Sequence, residues 1–148
     1  MKVTIGFRRA VTTDVDFLLT LRKAAMNEHL LRAGIALSEK YHLSRINEFF
    51  NDSHLILRDK HTVGLLKLGV LASSLHIRQL QVLPEYHRLG IGSYVMEVVK
   101  KQALKLNLPI TLSVLLENPA KSLYLRHGFI VTEKNDFEYK MSWLIPDK

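Results

Sequence analysis

Apolar and polar residues alternate at the start of the chain, Val3, Ile5 and Phe7 against Lys2, Thr4 and Arg8, which predicts a first strand over Met1 to Ala10. Thr12-Thr13-Asp14-Val15-Asp16 then offers an N-cap and two carboxylates to a first helical turn, so a helix is expected to about Ala33, stopped by Gly34. Ser38 opens a second helical stretch, with Tyr41, Ile46, Phe49 and Phe50 as its apolar side, ending near Asn51-Asp52. His54 to Arg58 and Val63 to Ala72 read as a hairpin turning at Asp59-Lys60-His61, and Ser73-Ser74 leads into a fourth strand, Leu75 to Leu83. Along that strand Ile77, Leu80 and Val82 alternate after one irregular step, and Pro84 ends it. Ile91, Val95, Val98, Val99, Ala103 and Leu106 follow at spacings of three and four, one stripe of a helix packed on a sheet.

Asn107 to Pro109 punctuates, and Ile110 to Leu116 is apolar almost throughout, as expected of a strand buried on both faces. Strand, helix and strand in that order predict a right-handed crossover joining two parallel strands. Asn118-Pro119 starts a short helix ending at Gly128, since Asn caps well and Pro suits the first helical position. Phe129 to Thr132 and Phe137 to Trp143 close the chain as a strand pair. The predicted fold is α/β, an α+β sandwich: a mixed, mostly antiparallel sheet of about seven strands with one parallel pair and about four flanking helices, in a single domain over residues 1–148.

The chemistry collects where the fourth strand gives way to the long helix, at Pro84-Glu85-Tyr86-His87-Arg88-Leu89-Gly90-Ile91-Gly92-Ser93. The first N–H groups of a helix lack carbonyl partners and carry partial positive charge, and glycines let a ligand approach the backbone, so a phosphate is the natural guest. A nucleotide P-loop would need Gly-Lys-Ser/Thr, but Ser93-Tyr94 follows Gly92; a dinucleotide fingerprint would need a small residue at Val95. What remains resembles the acetyl-CoA pyrophosphate loop of the GCN5-related N-acetyltransferase (GNAT) superfamily. One strand downstream, Asn118-Pro119-Ala120-Lys121-Ser122-Leu123-Tyr124-Leu125-Arg126-His127-Gly128-Phe129 resembles that superfamily's other diagnostic segment. The two motifs in the right order and context identify the chain more strongly than either alone. His87 departs from the pattern, which has Gln or Arg there.

The resemblance implies an acetyl-CoA-dependent N-acetyltransferase. The pyrophosphate would sit on the backbone N–H groups of Arg88, Leu89, Gly90, Ile91 and Gly92, with the Ser93 hydroxyl and the His87 side chain beside it. Leu80, Gln81 and Val82 would border the pantetheine arm, with the Leu80 N–H polarising the thioester carbonyl. Asn118 would touch the donor or serve as a plain N-cap, and Tyr124 would protonate the leaving thiolate or be an aromatic core residue. His76 is the candidate base for the acceptor amine, against the alternative of a surface histidine, with Glu28 and His29 as weaker candidates.

Composition narrows the picture in two ways. The chain has no cysteine, which excludes a disulfide framework, a thiolate metal site and an acyl-cysteine intermediate, so acetyl transfer would most simply be direct; no metal is expected. No signal-like or membrane-length apolar run occurs, and a cytoplasmic location is expected. The net charge of +7 suits coenzyme A as well as it suits nucleic acid, and the scattered basic residues do not interleave with aromatics as single-strand binders do. Between Arg22 and Glu48, Arg22, Lys23, Arg32, Lys40 and Arg45 outnumber Glu28, Glu39 and Glu48, which disfavours a polycationic acceptor. The expected acceptor is an amine of a small molecule or a peptide or protein. An RNA-linked or ribosomal amine, a non-catalytic acyl-CoA sensor and a homodimer stay open.

Overall fold

The computed structural model describes residues 3–32 and 38–146, with the side chains of residues 25–32 outside the description. In chain order the elements are β1 (Ile5–Arg9), α1 (Val15–Arg32), α2 (Glu39–Asn47), β2 (Ser53–Arg58), β3 (His61–Val70), β4 (Leu75–Val82), α3 (Ile91–Leu106), β5 (Ile110–Leu115), α4 (Ala120–Arg126), β6 (Ile130–Lys134) and β7 (Glu138–Trp143). One seven-stranded sheet runs β1-β2-β3-β4-β5-β7-β6, and only β4 and β5 are parallel.

Local chemistry explains most boundaries. Ser38 accepts the Tyr41 N–H at 3.0 Å and caps α2, as expected, but α2 stops at Asn47 because Phe49 turns left-handed at φ 54°. Phe50 and Asn51 therefore lie in a separate short turn rather than in α2. The β2–β3 hairpin closes through Asp59 and Lys60, both at positive φ, the conformation a two-residue turn between twisted strands requires. The predicted stop of α1 at Ala33 and Gly34 lies outside the described residues.

Each face of the sheet carries a core. On one, Val95, Met96, Val99 and Ala103 of α3 pack against Ile77, Ile110, Leu112 and Val114. On the other, Leu18, Leu21 and Ile46 of α1 and α2 cover Leu55 and Leu65. Each such side chain contributes roughly 1.5–3 kcal/mol by leaving water. The α3 stripe differs from expectation at its end, where Leu106 is exposed and Met96 is buried instead.

A second correction concerns β5. Its burial alternates, with Ser113 exposed, so it is not covered on both faces. The core on the opposite face holds no β5 residue, and the pairing beside β5 is short as well. β4 pairs with β5 only at Leu75–Ile110, His76–Thr111 and Ile77–Leu112, and then the strands part.

The parting coincides with a bulge. Lys67 of β3 faces Gln79 and Leu68 faces Ile77, so Arg78 is an extra residue on β4. Its Nε donates to Asp52 Oδ2 at 2.9 Å, its guanidinium carbon lies 3.4 Å from the centre of the Phe49 ring, and it occupies the space a side chain at Gly69 would need. Two segments, the turn that carries Phe49 and Asp52 and the strand β3, thus hold the bulge.

Candidate active site

The backbone of β4 beyond the bulge faces two ways in alternation. Leu83 N–H points to β3, where it meets Val63 O at 2.8 Å, so Gln81 points the same way and the N–H groups of Leu80 and Val82 point into the gap. Val82 O confirms the geometry, since it accepts a 2.8 Å hydrogen bond from His87 Nε2–H outside the sheet. With β5 gone after Ile77, the Leu80 N–H opens on the gap.

The chain then makes one turn at Pro84–Tyr86 and enters α3 through Arg88 and Gly90, both at positive φ (64° and 80°). His87 N–H reaches Pro84 O at 3.1 Å, and the next amide with a backbone carbonyl is Tyr94, which reaches Gly90 O at 3.0 Å. The N–H groups of residues 88–93 between them have no carbonyl partner among the described residues. Consecutive donors at the positive end of a sixteen-residue helix form an anion cradle. A groove of about 490 Å³ runs past them, lined also by Leu80, Val82, Asn118, Ala120 and Tyr124, with Arg88 and Arg126 on its rim. The space beside Gly90 is open within 4 Å, so a diphosphate and its pantetheine tail fit both the donors and the room.

On the other side of the gap lies a second cavity of about 450 Å³, lined by side chains from α1, α2, β3, β4, β5 and β7. The two cavities share Leu80, Gln81, Asn118 and Tyr124. Tyr124 is 5% exposed, its ring 5.7 Å from that of Phe129, and burial pushes its phenol up to about 12. It therefore holds its proton at any physiological pH. Asn118 Oδ1 accepts the Ala120 N–H at 2.9 Å, but the cap position of α4 falls on Pro119, one residue later than expected, and the Asn118 side chain also borders both cavities.

His76 lines the second cavity. Its Nδ1 is 2.7 Å from Thr111 Oγ1, which in turn donates to Ser74 Oγ at 3.2 Å. With Thr111 donating onward to Ser74, it can accept from His76 Nδ1–H, the tautomer that leaves the lone pair on Nε2. Burial, with Arg78 nearby, holds the pKa of His76 below the ordinary histidine value. With Arg78 bulged out, the stretch from His76 to Leu80 matches only Gly69 to Leu66 on β3, about 10 Å, so His76 would reach a proton at Leu80 through a chain of waters.

Leu89 is 53% exposed and its side chain does not line the groove; its expected part in the cradle is its amide alone. The His87 ring, tied to Val82 O through Nε2, staples the loop to the strand end. The side chains of Glu28 and His29 lie outside the described residues. Sequence reasoning missed His127, whose Nδ1 lies 3.2 Å from Glu97 Oε1 and whose Nε2 lies 3.2 Å from Ser93 Oγ. Burial first, then Lys100, lower its pKa, so the neutral ring accepts from the Ser93 hydroxyl and orients it at the cradle. The i,i+4 spacing of Ser93 and Glu97 was its only sequence signal.

Lys67, in the middle of β3, is 2% exposed. Its Nζ donates to Arg45 O, Ile46 O and Glu48 O at 3.1, 3.2 and 2.7 Å, closing the end of α2. Among the described residues no cluster of three or more His, Cys, Asp or Glu has metal-site geometry, and no helix is long and apolar enough to cross a membrane.

Residues 25–146 match the family described as an acetyltransferase (GNAT) domain. No curated protein matches the sequence. Among solved structures, the fold is similar to the PaiA N-acetyltransferase of Thermoplasma acidophilum in complex with coenzyme A, at TM-score 0.76 and 22% identity over 96% of this chain and 99% of that one. It is similar to the ribosomal-protein-S18-alanine N-acetyltransferase of Escherichia coli at TM-score 0.71 and 17% identity, over 98% and 97%. Naa50 of Arabidopsis thaliana, in complex with the bisubstrate analogue CoA-Ac-MVNAL, is similar at TM-score 0.68 and 20% identity, over 95% and 99%.

Proposed function

The chain belongs to the acetyltransferase (GNAT) domain family and is an acetyl-CoA-dependent N-acetyltransferase; we propose that it acts as one domain and passes acetyl directly to a primary amine of a small molecule or peptide. One observation carries this reading: the Leu80 N–H opens into the gap where a cradle of helix-start amides and a second, polar cavity converge on Tyr124.

Acetyl-CoA supplies an activated acyl group as a thioester. The amides of residues 88–93 hold its diphosphate, with Ser93 Oγ set by His127. The Leu80 N–H donates to the thioester carbonyl oxygen and favours the charge that develops there. Tyr124, kept protonated by burial, donates to the departing sulfur. His76, neutral with Nε2 open, takes the proton of the acceptor amine by way of water.

The test is thiol release from acetyl-CoA over a panel of amines, paired with calorimetry of acetyl-CoA binding. Release with at least one amine is expected. Tight binding with no release on a broad panel would identify an acyl-CoA sensor instead.

A further inference from the structure

The second cavity has a pronounced charge bias that the transfer chemistry does not use. Four cations line it, Arg22, Arg45, Lys67 and Arg78, against two carboxylates, Glu48 and Glu138. Arg22 and Lys67 lie below the surface, 3% and 2% exposed, yet their hydrogen-bond partners among the described residues are neutral: Arg22 Nε donates to His42 Nδ1 at 3.0 Å, and Lys67 Nζ to three carbonyls. Arg78 is matched by Asp52. Arg45 reaches Glu48 at only 3.3 Å, and its Nε is buried with no partner among the described residues.

Burying charge without an ionic partner is unfavourable unless something compensates it. Here the cations also repel one another. Burial and the charges of Arg45, Arg22 and Arg78 pull the Lys67 pKa from 10.5 down to about 8, and Glu48 offsets only part of this. A ligand anion would relieve the repulsion, whereas a second ammonium would add to it. The bias also has a direction. Arg22, Arg45, Lys67 and Glu48 belong to the α1–α2–β3 side, and Glu138 stands alone at the β7 end. An amine drawn toward the Glu138 end would leave its other end among the arginines.

We propose that the acceptor is a small amine that carries its own acid, a carboxylate or a phosphate-type group, with the acid held by Arg22 and Arg45 in front of Lys67. This rests on the transferase reading above, because it specifies the acceptor of that reaction. Guanidinium groups suit both acids by offering paired donors. The positive surroundings also help the reaction, since they lower the pKa of the incoming ammonium and raise its neutral, nucleophilic fraction.

Two measurements test the proposal. In the thiol-release assay, β-alanine and γ-aminobutyrate are compared with their amides, with aminoalkyl phosphonates of equal length and with diamines. The acids are expected to exceed both amides and diamines by at least about tenfold in kcat/KM, the scale of one charge-assisted hydrogen bond. Arg45→Gln, at a partly exposed position, is expected to remove most of that advantage while leaving the amides unchanged. The ratio of carboxylates to phosphonates decides between the two acids.

The second measurement does not depend on turnover. Calorimetry of the CoA-saturated protein compares N-acetyl-β-alanine with its amide, and tighter binding of the acid is expected. Equal affinity, absence of binding by either included, overturns the proposal. So does a preference for diamines, which would leave the transferase reading intact. Selective acid binding with no thiol release would leave the anion site standing and remove the transferase reading.

Discussion

Lys67→Met isolates the buried ammonium under α2. An unfolded lysine keeps its proton up to 10.5, while in the fold burial lowers the value to about 8. Between those two pH values the unfolded chain binds the extra proton, so stability should rise with pH across the window and be lowest below it. Each pH unit is worth up to about 1.4 kcal/mol, so the whole window is worth roughly 3 kcal/mol. Tyr124 acts with the opposite sign above pH 10, because its raised pKa leaves the folded state holding the proton, but it is common to both proteins and cancels in the comparison. Urea unfolding of wild type and variant at several pH values from about 7 to 10 is the assay. The variant also leaves the carbonyls of Arg45, Ile46 and Glu48 without their donor, a roughly constant cost of about 1–3 kcal/mol. The expected result is a wild-type curve that climbs by about 2–3 kcal/mol relative to the variant. Parallel curves would refute the reasoning and show Lys67 to be an ordinary charged cap. Should the variant not fold, a flat wild-type profile from pH 8 to 10 refutes it equally.

Tyr124→Phe is expected to lower kcat by roughly 10²-fold with acetyl-CoA affinity unchanged by calorimetry, the loss of a proton donor; unchanged turnover removes it from the mechanism. His76→Ala is expected to abolish the acidic limb of the pH–rate profile, which in wild type should fall as pH drops through a value below the ordinary 6.5; a limb that persists rules His76 out. Gly64→Ala places a methyl against the carbonyl oxygen of Gln81, a backbone atom that cannot swing aside. It should destabilise the protein by about 1–3 kcal/mol and weaken acetyl-CoA binding, read by urea unfolding and calorimetry; acetyl-CoA affinity unchanged in a folded variant would show that the β4 edge does not hold the donor.

The elements with local signatures were legible in the sequence. The α3 stripe, the Ser38 cap and the glycine loop each depend on residues close in sequence, and the structure places them where the pattern does, except that the stripe ends before the exposed Leu106 and includes Met96. Lys67 was not legible, because its three carbonyls come from a helix some twenty residues away. Nor was the cationic cavity, whose side chains come from α1, α2, β3 and β4 and converge only in the fold. His127 was hidden in the same way: its partners Ser93 and Glu97 sit on another helix.

The irregular step between Ile77 and Leu80 was visible in the sequence, but its consequence was not. Leu75 N–H points toward the β5 side, to Pro109 O at 2.8 Å, while Leu83 N–H points toward β3, to Val63 O at 2.8 Å. Both residues are odd-numbered, and in an unbroken strand they would point the same way. One extra residue between them, Arg78, reverses the alternation. Because of it the side chain of Leu80 packs on the α3 core while its N–H faces the gap; without it that N–H would face β3. The periodicity shows that a residue has been inserted, but only Asp52, Phe49 and Gly69 hold it in place. The donor at the reaction centre is thus set by contacts to a turn some twenty-six residues back and to the preceding strand, and the hydrophobic pattern of β4 records only that the strand accommodates them.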